Sequence, residues 1–227
     1  MWLVRLAFFS IAFVAGAADV NTDYITPEFT YSPDRHYGVT IPIFHFEAAD
    51  KIDDRTNKVV ELGSQKIVAD FGGDPGYDRA LNYRETTPPR WSSDSSLILW
   101  KVNGKWCPHT LVLLALENNQ EKWRLDLLKT AQQSVLARTR SAAPKRYKLA
   151  KKSNAGSGAA YPDGFTIDVT TEGENTTSLA LPLTVHADLT ANPKQIPGEP
   201  NLDSHLDALV TVDGKFVVKH FQLGKRN

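Results

Sequence analysis

The sequence predicts an α+β protein made mostly of antiparallel hairpins, with one amphipathic helix over about residues 120–138 packed on the sheet. Three observations carry this. Apolar runs of strand length recur along the chain, separated by clusters of Gly, Pro, Asn and Asp. Two pairs of runs flank Asn103-Gly104 and Asp213-Gly214, dipeptides suited to a two-residue type I′ turn because both positions need positive φ. One stretch, with Trp123, Leu127, Leu128, Ala131 and Val135, repeats its apolar residues at helical spacing.

The 227 residues carry 26 basic and 26 acidic side chains, so net charge gives no global steering toward nucleic acid or an anionic membrane. The N-terminus has the pattern of a processing segment. Arg5 precedes an apolar run from Leu6 to Val14, and Ala15-Gly16-Ala17 has the small-x-small form of a signal peptidase site. Cleavage is expected after Ala17, because the run is short of the roughly 18–20 residues that span a bilayer. The expected destination is secreted or periplasmic. Cys107 is the single cysteine, so no intrachain disulfide can form and stability must come from the core. In a predicted strand it reads as a small buried apolar residue.

The elements follow in order. Residues 1–17 are the signal peptide, 28–140 a β-rich region with the helix, 141–160 a basic, flexible linker, and 161–224 a C-terminal β region. Val39–Phe46 is a strand in which Pro42, with no N–H for the ladder, argues for an edge or a bulge. Val59–Leu62 and Gln65–Phe71 return from a polar loop at 47–57. The glycine cluster Gly72-Gly73-Asp74-Pro75-Gly76 is a turn. It lacks the Gly-Lys-Ser/Thr ending of a phosphate loop. Residues 77–90, rich in Tyr and Arg and ending near Pro88-Pro89, are a connecting loop and a candidate binding edge. Asn118 or Asn119 caps the helix, with Glu121 placed as in a capping box. The last third reads as strands at 164–169 and 179–189, followed by the hairpin across Asp213-Gly214. Asn175-Thr176-Thr177 is a glycosylation sequon, meaningful in a eukaryotic secretory route.

Two segments answer each other. Tyr31-Ser32-Pro33-Asp34 leads into one apolar strand, and Trp91-Ser92-Ser93-Asp94 leads into another. An aromatic residue, Ser-x-Asp, a turn and a strand resembles the repeat of Tol-type β-propellers. That resemblance implies that each copy opens the inner strand of a blade. The spacing exceeds the usual blade period of about 40–50 residues. A propeller needs at least four blades, so the resemblance implies at most two blade-like antiparallel units and not a complete propeller, set against the plainer reading of Ser-x-Asp as a turn opener.

No catalytic signature is present. Gly156-Ser157-Gly158 is too short for a nucleophile elbow and sits in the linker. None of the six histidines stands at a His-x-x-x-His spacing. A two-residue turn at Asp213-Gly214 sets Asp207 opposite His220 and His205 opposite Gln222. Alternation then brings Asp203, His205, Asp207 and His220 to one patch. Those four are the candidate metal ligands, set against the plainer reading of a polar edge with one Asp–His pair. Arg138, Arg140, Lys145, Arg146, Lys148, Lys151 and Lys152 form a run with no acid. They are a solvated face that partly suits a helix C-terminus, or a surface for an anionic partner. No cofactor and no nucleic-acid partner are expected. The reading that results is an exported, non-enzymatic binding or interaction protein, whose partner is an exported protein or an anionic surface polymer. The alternatives are a small exported hydrolase with a spatially assembled site, and a structural subunit of a larger assembly.

Overall fold

The computed structural model describes residues 23–43, 55–73, 76, 85–104, 108–153, 162–174, 176, 178–191 and 202–224. The expected signal segment, Cys107, Asn175 of the sequon and the Gly156-Ser157-Gly158 stretch lie outside them, as do most of the 47–57 and 77–90 loops. Among the described residues, three antiparallel sheets and two α-helices make up the fold. The first sheet holds β1 (Tyr24–Ile25), β2 (Tyr37–Pro42), β3 (Lys58–Glu61) and β4 (Ile67–Asp70) in sequence order. The middle sheet holds β5 (Glu85–Thr86), β6 (Arg90–Trp91), β7 (Leu97–Asn103), β8 (Pro108–Glu117) and β9 (Gln120–Asp126), with β5 and β6 both on β7. Helices α1 (Leu127–Ala142) and α2 (Pro144–Ser153) follow, and then β10 (Phe165–Thr171), β11 (Leu183–Ala191), β12 (Ser204–Val210) and β13 (Phe216–Leu223) form the third sheet.

The middle sheet is the wall between two cores. Alternation sends Ile98, Trp100, Val102, Val112, Leu114 and Leu116 toward the first sheet, where they meet Val39, Ile41 and Phe71. Leu99, Leu111 and Leu113 point the other way, onto α1 and the third sheet. That double burial explains why β7 and β8 read as unbroken apolar runs. Helix α1 lays Leu127, Leu128, Ala131 and Val135 into the second core. Its buried Thr139 hydroxyl meets Ser204 of β12 at 2.6 Å.

The two Ser-x-Asp segments fold into the same turn. Ser32 donates its hydroxyl to Asp34 at 2.6 Å, and Ser92 donates to Asp94 at 2.5 Å. Each serine oxygen also accepts a backbone N–H five residues on, from Tyr37 at 2.9 Å and from Leu97 at 2.8 Å. Arg35 and Ser95 take equivalent positive φ values of 56° and 60°. The copies then pack on each other, with the Trp91 indole donating to the Thr30 carbonyl at 3.1 Å. Gly38 is needed inside the first unit, since a Cβ there would lie 2.7 Å from Thr26 and 2.9 Å from Leu62. Among the described residues the two segments belong to two open antiparallel sheets that pack side by side, with no closed ring.

Four sequence expectations are corrected. First, the segment before α1 is strand β9, not the start of the helix. Asn118 and Asn119 are the two turn residues between β8 and β9, with φ of 53° and 57°, rather than helix caps. Without β9 the buried strand β8 would be an open edge, and the Trp123/Leu125 alternation serves that strand. The helix starts at Leu127, capped by Asp126, whose carboxylate accepts the Lys129 N–H at 2.9 Å. Second, Asn103-Gly104 is not a two-residue turn, because Asn103 pairs with Pro108. A tight turn would set Leu97–Val102 against Lys105–Thr110, whereas the observed register sets Trp100 on Val112 and Ile98 on Leu114. Burial of two apolar faces outweighs the turn preference. Third, Pro144–Ser153 is helical where a flexible basic linker was expected, since Tyr147 and Ala150 bury against the second core. Fourth, Pro42 lies on neither an edge strand nor a bulge. It closes β2 opposite Tyr24, and the ladder passes to the Ile43 N–H.

Candidate functional site

Two features of the surface gather polar groups beyond what the core requires. The first is a cleft of about 370 Å³ where the middle sheet meets the third. It exists because Pro88 and Pro89 interrupt the ladder between β5 and β6, leaving the flank of β7 open. Arg90, Leu99, Lys101, Asn103, Thr171 and Glu174 are among its lining residues. Arg90 donates to the Thr171 hydroxyl at 3.0 Å, and its Nε is buried with no hydrogen-bond partner. Burial pulls the guanidinium below its ordinary pKa, partly offset by the Glu174 carboxylate. Lys101 reaches Glu174 at 3.2 Å.

The second feature is the outward face of the third sheet. The inward residues of β10, β11 and β12 are Phe165, Ile167, Val169, Val185, Ala187, Leu189, Leu206, Ala208 and Val210. Alternation therefore turns His186 and Asp188 of β11 outward, together with His205 and Asp207 of β12. These are two His-x-Asp tripeptides in antiparallel register, so His186 stands opposite Asp207 and Asp188 opposite His205. His186 Nδ1 lies 2.6 Å from Asp207 Oδ1, and His205 Nδ1 lies 2.7 Å from Asp188 Oδ1. The other nitrogen of His205, Nε2, lies 2.9 Å from Asp207 Oδ1. His205 is only 2% exposed despite its outward direction. Asp168 of β10, opposite Asp188, is raised above the usual carboxylate range. Partial loss of solvent is the main cause, Lys101 opposes it, and the like charges of Asp188 and Glu174 add to it.

The four metal candidates divide. His205 and Asp207 converge, and with His186 they place three ligand-type atoms within 4.8 Å of one another. Asp203 is buried ahead of β12, its carbonyl taken by the Gly224 N–H, and does not join that group. His220 does stand opposite Asp207, and Gln222 opposite His205, as expected, but by another route. The hairpin closes over three residues, with the Thr211 N–H donating to the Lys215 carbonyl, and a bulge at Lys219 restores the register. The His220 ring sits 6.3 Å from that of His205 and meets Gln222 at 3.3 Å. His186 was missed because the long connection 192–203 gives no turn rule to pair β11 with β12. The repeated His-x-Asp was the legible signal.

The basic run is placed on the end of α1 and along α2. Arg138, Arg140, Lys145, Lys148, Lys151 and Lys152 are exposed and Arg146 is half-buried. Asp163 anchors α2, accepting from Tyr147 at 2.5 Å and from Lys151 at 2.6 Å. The Lys151 bond first, then that from Tyr147, holds the Asp163 carboxyl below its usual range. Burial and Asp163 push the Tyr147 phenol well above its own. Among the described residues no helix is long and apolar enough to cross a membrane. No protein-family model matches the chain, and neither curated proteins nor solved structures give a match.

Proposed function

We propose that the chain is an exported, non-enzymatic binding protein that holds a small anionic group in the cleft between the middle and third sheets. The observation that carries this is Arg90, a cation drawn out of water with one N–H unanswered, in a concavity of ligand size beside Lys101. An incoming carboxylate, sulfate or phosphate oxygen would supply that missing acceptor once the guanidinium turns toward the cleft, since Nε itself is buried. The described lining has one carboxylate, Glu174, already engaged by Lys101, and no imidazole, which favours holding over hydrolysis. The export half of the reading rests on residues 1–17. It is tested by mass spectrometry of the protein recovered from its own host, where the first residue should be Ala18. An intact Met1 on exported material would contradict it.

The cleft is tested by titrating the purified protein with phosphate, sulfate and acetate and following backbone amide resonances. Shifts centred on Arg90, Lys101 and Thr171 that disappear in Arg90→Gln support the reading. Shifts spread evenly over surface lysines would overturn it. A second reading has its own observation. Six exposed cations lie on the end of α1 and along α2, of which Lys151 is tied to Asp163. This surface suits an anionic polymer or an acidic exported protein. Heparin is a usable probe: retention on a heparin column should fall sharply in a Lys145→Gln, Lys148→Gln, Lys152→Gln variant. Unchanged retention would leave the run as a solvated face. Assembly through the outer edge of β13 is disfavoured by the bulge at Lys219, which interrupts the ladder an added strand would need.

A further inference from the structure

The geometry points to a divalent transition-metal site on the outward face of the third sheet. His186, His205 and Asp207 are the ligands, and Asp188 is the carboxylate that orients His205. The site is separate from the cleft, and none of the cleft's lining residues is a ligand. Two facts argue for a cation rather than a plain polar edge. The first is convergence: His186 Nδ1, His205 Nε2 and Asp207 Oδ1 meet on one spot, with Asp207 Oδ1 in contact with both rings at 2.6 and 2.9 Å. The second is the far side of His205. Its Nδ1 is held by Asp188 at 2.7 Å, the carboxylate–imidazole–metal arrangement that fixes the tautomer and aims Nε2. A buried imidazole held this way has little freedom to do anything else, and His205 is 2% exposed.

The donor set selects the metal. Two imidazoles and one carboxylate suit Zn²⁺, with Co²⁺ as its spectroscopic substitute; Ca²⁺ and Mg²⁺ prefer all-oxygen shells. Bonds of about 2.0–2.1 Å in a tetrahedron set donors roughly 3.3 Å apart. The observed 2.6 and 2.9 Å contacts must therefore open by about 0.7 and 0.4 Å. His186 and Asp207 can allow this, being partly exposed at the side chain, 23% and 29%. The fourth position faces outward and is left to water, with the His220 ring next in line on β13. Asp168, Asp188 and Asp207 make the local charge negative, with Lys101 the cation acting on Asp168.

The test is a Zn²⁺ titration of the purified protein against a chromophoric chelator, with Co²⁺ absorption as the coordination readout. One Zn²⁺ per chain and intense tetrahedral Co²⁺ bands are expected. His205→Gln and Asp207→Asn should each weaken binding by at least about tenfold, and Asp188→Asn by about 10–100-fold while the coordination spectrum keeps its form. His36→Gln and His109→Gln should change nothing. No bound metal in the wild type, or binding retained by the His205→Gln, Asp207→Asn double variant, would overturn the site. If the variants fail to fold, the wild-type imidazole resonances decide. Zn²⁺ must shift those of His186 and His205 ahead of His36 and His109, and any other order refutes the assignment. Failure here leaves the cleft untouched, because anion-induced shifts at Arg90 are read independently.

Discussion

The duplicated turn can be weighed by removing one oxygen from each copy. Ser92→Ala deletes a hydroxyl that donates to Asp94 at 2.5 Å and accepts the Leu97 N–H at 2.8 Å, at a residue 7% exposed. A hydrogen bond to a charged group contributes about 1.5–3 kcal/mol, and a stranded buried donor costs about 1–3 kcal/mol. Asp94 is exposed and keeps the Ser96 hydroxyl at 2.8 Å, so water and Ser96 recover part of the first term. The expected loss is about 2 kcal/mol, or a drop in Tm of roughly 4–8 °C for a chain of this size. Ser32→Ala removes the same pair of bonds, to Asp34 and from Tyr37, at a residue 2% exposed, and should cost the same within about 0.5 kcal/mol. The double variant should be close to additive, since neither serine bonds to the other turn: the polar contacts between the units run from Trp91 to Thr30 and between Ser95 and Asp34. Urea unfolding followed by tryptophan fluorescence reads all three, with Trp91 at the joint. A loss below about 0.5 kcal/mol in both single variants would refute the hydrogen-bond reasoning. A large loss in one and none in the other would refute the equivalence of the two units.

Further outcomes follow from the same structure. Asp94 is held below its usual range by the Ser92 and Ser96 hydroxyls; for Asp34, burial pushes upward but bonds from Ser32, the His36 N–H and Ser95 outweigh it. A depressed carboxyl adds stability that is complete above its unfolded value, about 3.9, and is lost as pH falls through the folded value. The urea midpoint should therefore be level from neutral pH to about 5 and fall below about 4, with the Ser92→Ala difference shrinking over the same interval; a constant difference at low pH would contradict this. Asp126→Ala, which removes the cap of α1, should cost about 1 kcal/mol in urea unfolding; an unchanged midpoint would refute the cap. Leu113→Ala, at a site with no exposure between β8 and α1, should cost about 2–5 kcal/mol and speed amide exchange in α1 and in β7 and β8 alike; exchange confined to the sheet would refute the shared core.

Much of this protein was legible in the order of its residues. Antiparallel β character follows from short apolar runs between turn formers. The Ser-x-Asp turns, the amphipathic stripe of α1 and the strands of the last third are local, and each is specified by neighbours within a few positions. The turn at Asn118-Asn119 was legible too, but the stripe through Trp123 competed with it, because Trp123 is at once four residues before Leu127 and two before Leu125. Tertiary packing resolved that conflict by giving β8 a partner strand. The same kind of decision moved the 103–108 register, where two buried faces outweighed one favoured dipeptide. It also made a helix of the lysine-rich segment, because Tyr147 and Ala150 found a core and Asp163 found Lys151. The Asp207–His220 register emerged from a longer turn and a bulge that cancel, so the pairing was predictable where its cause was not. His186 and Asp188 came beside Asp207 and His205, and Arg90 came beside Thr171, through pairings between strands and sheets far apart in the chain. Distance along the chain carries no such information: cross-strand partners are chosen by which faces bury together, and that choice is made only when the sheets close on their cores.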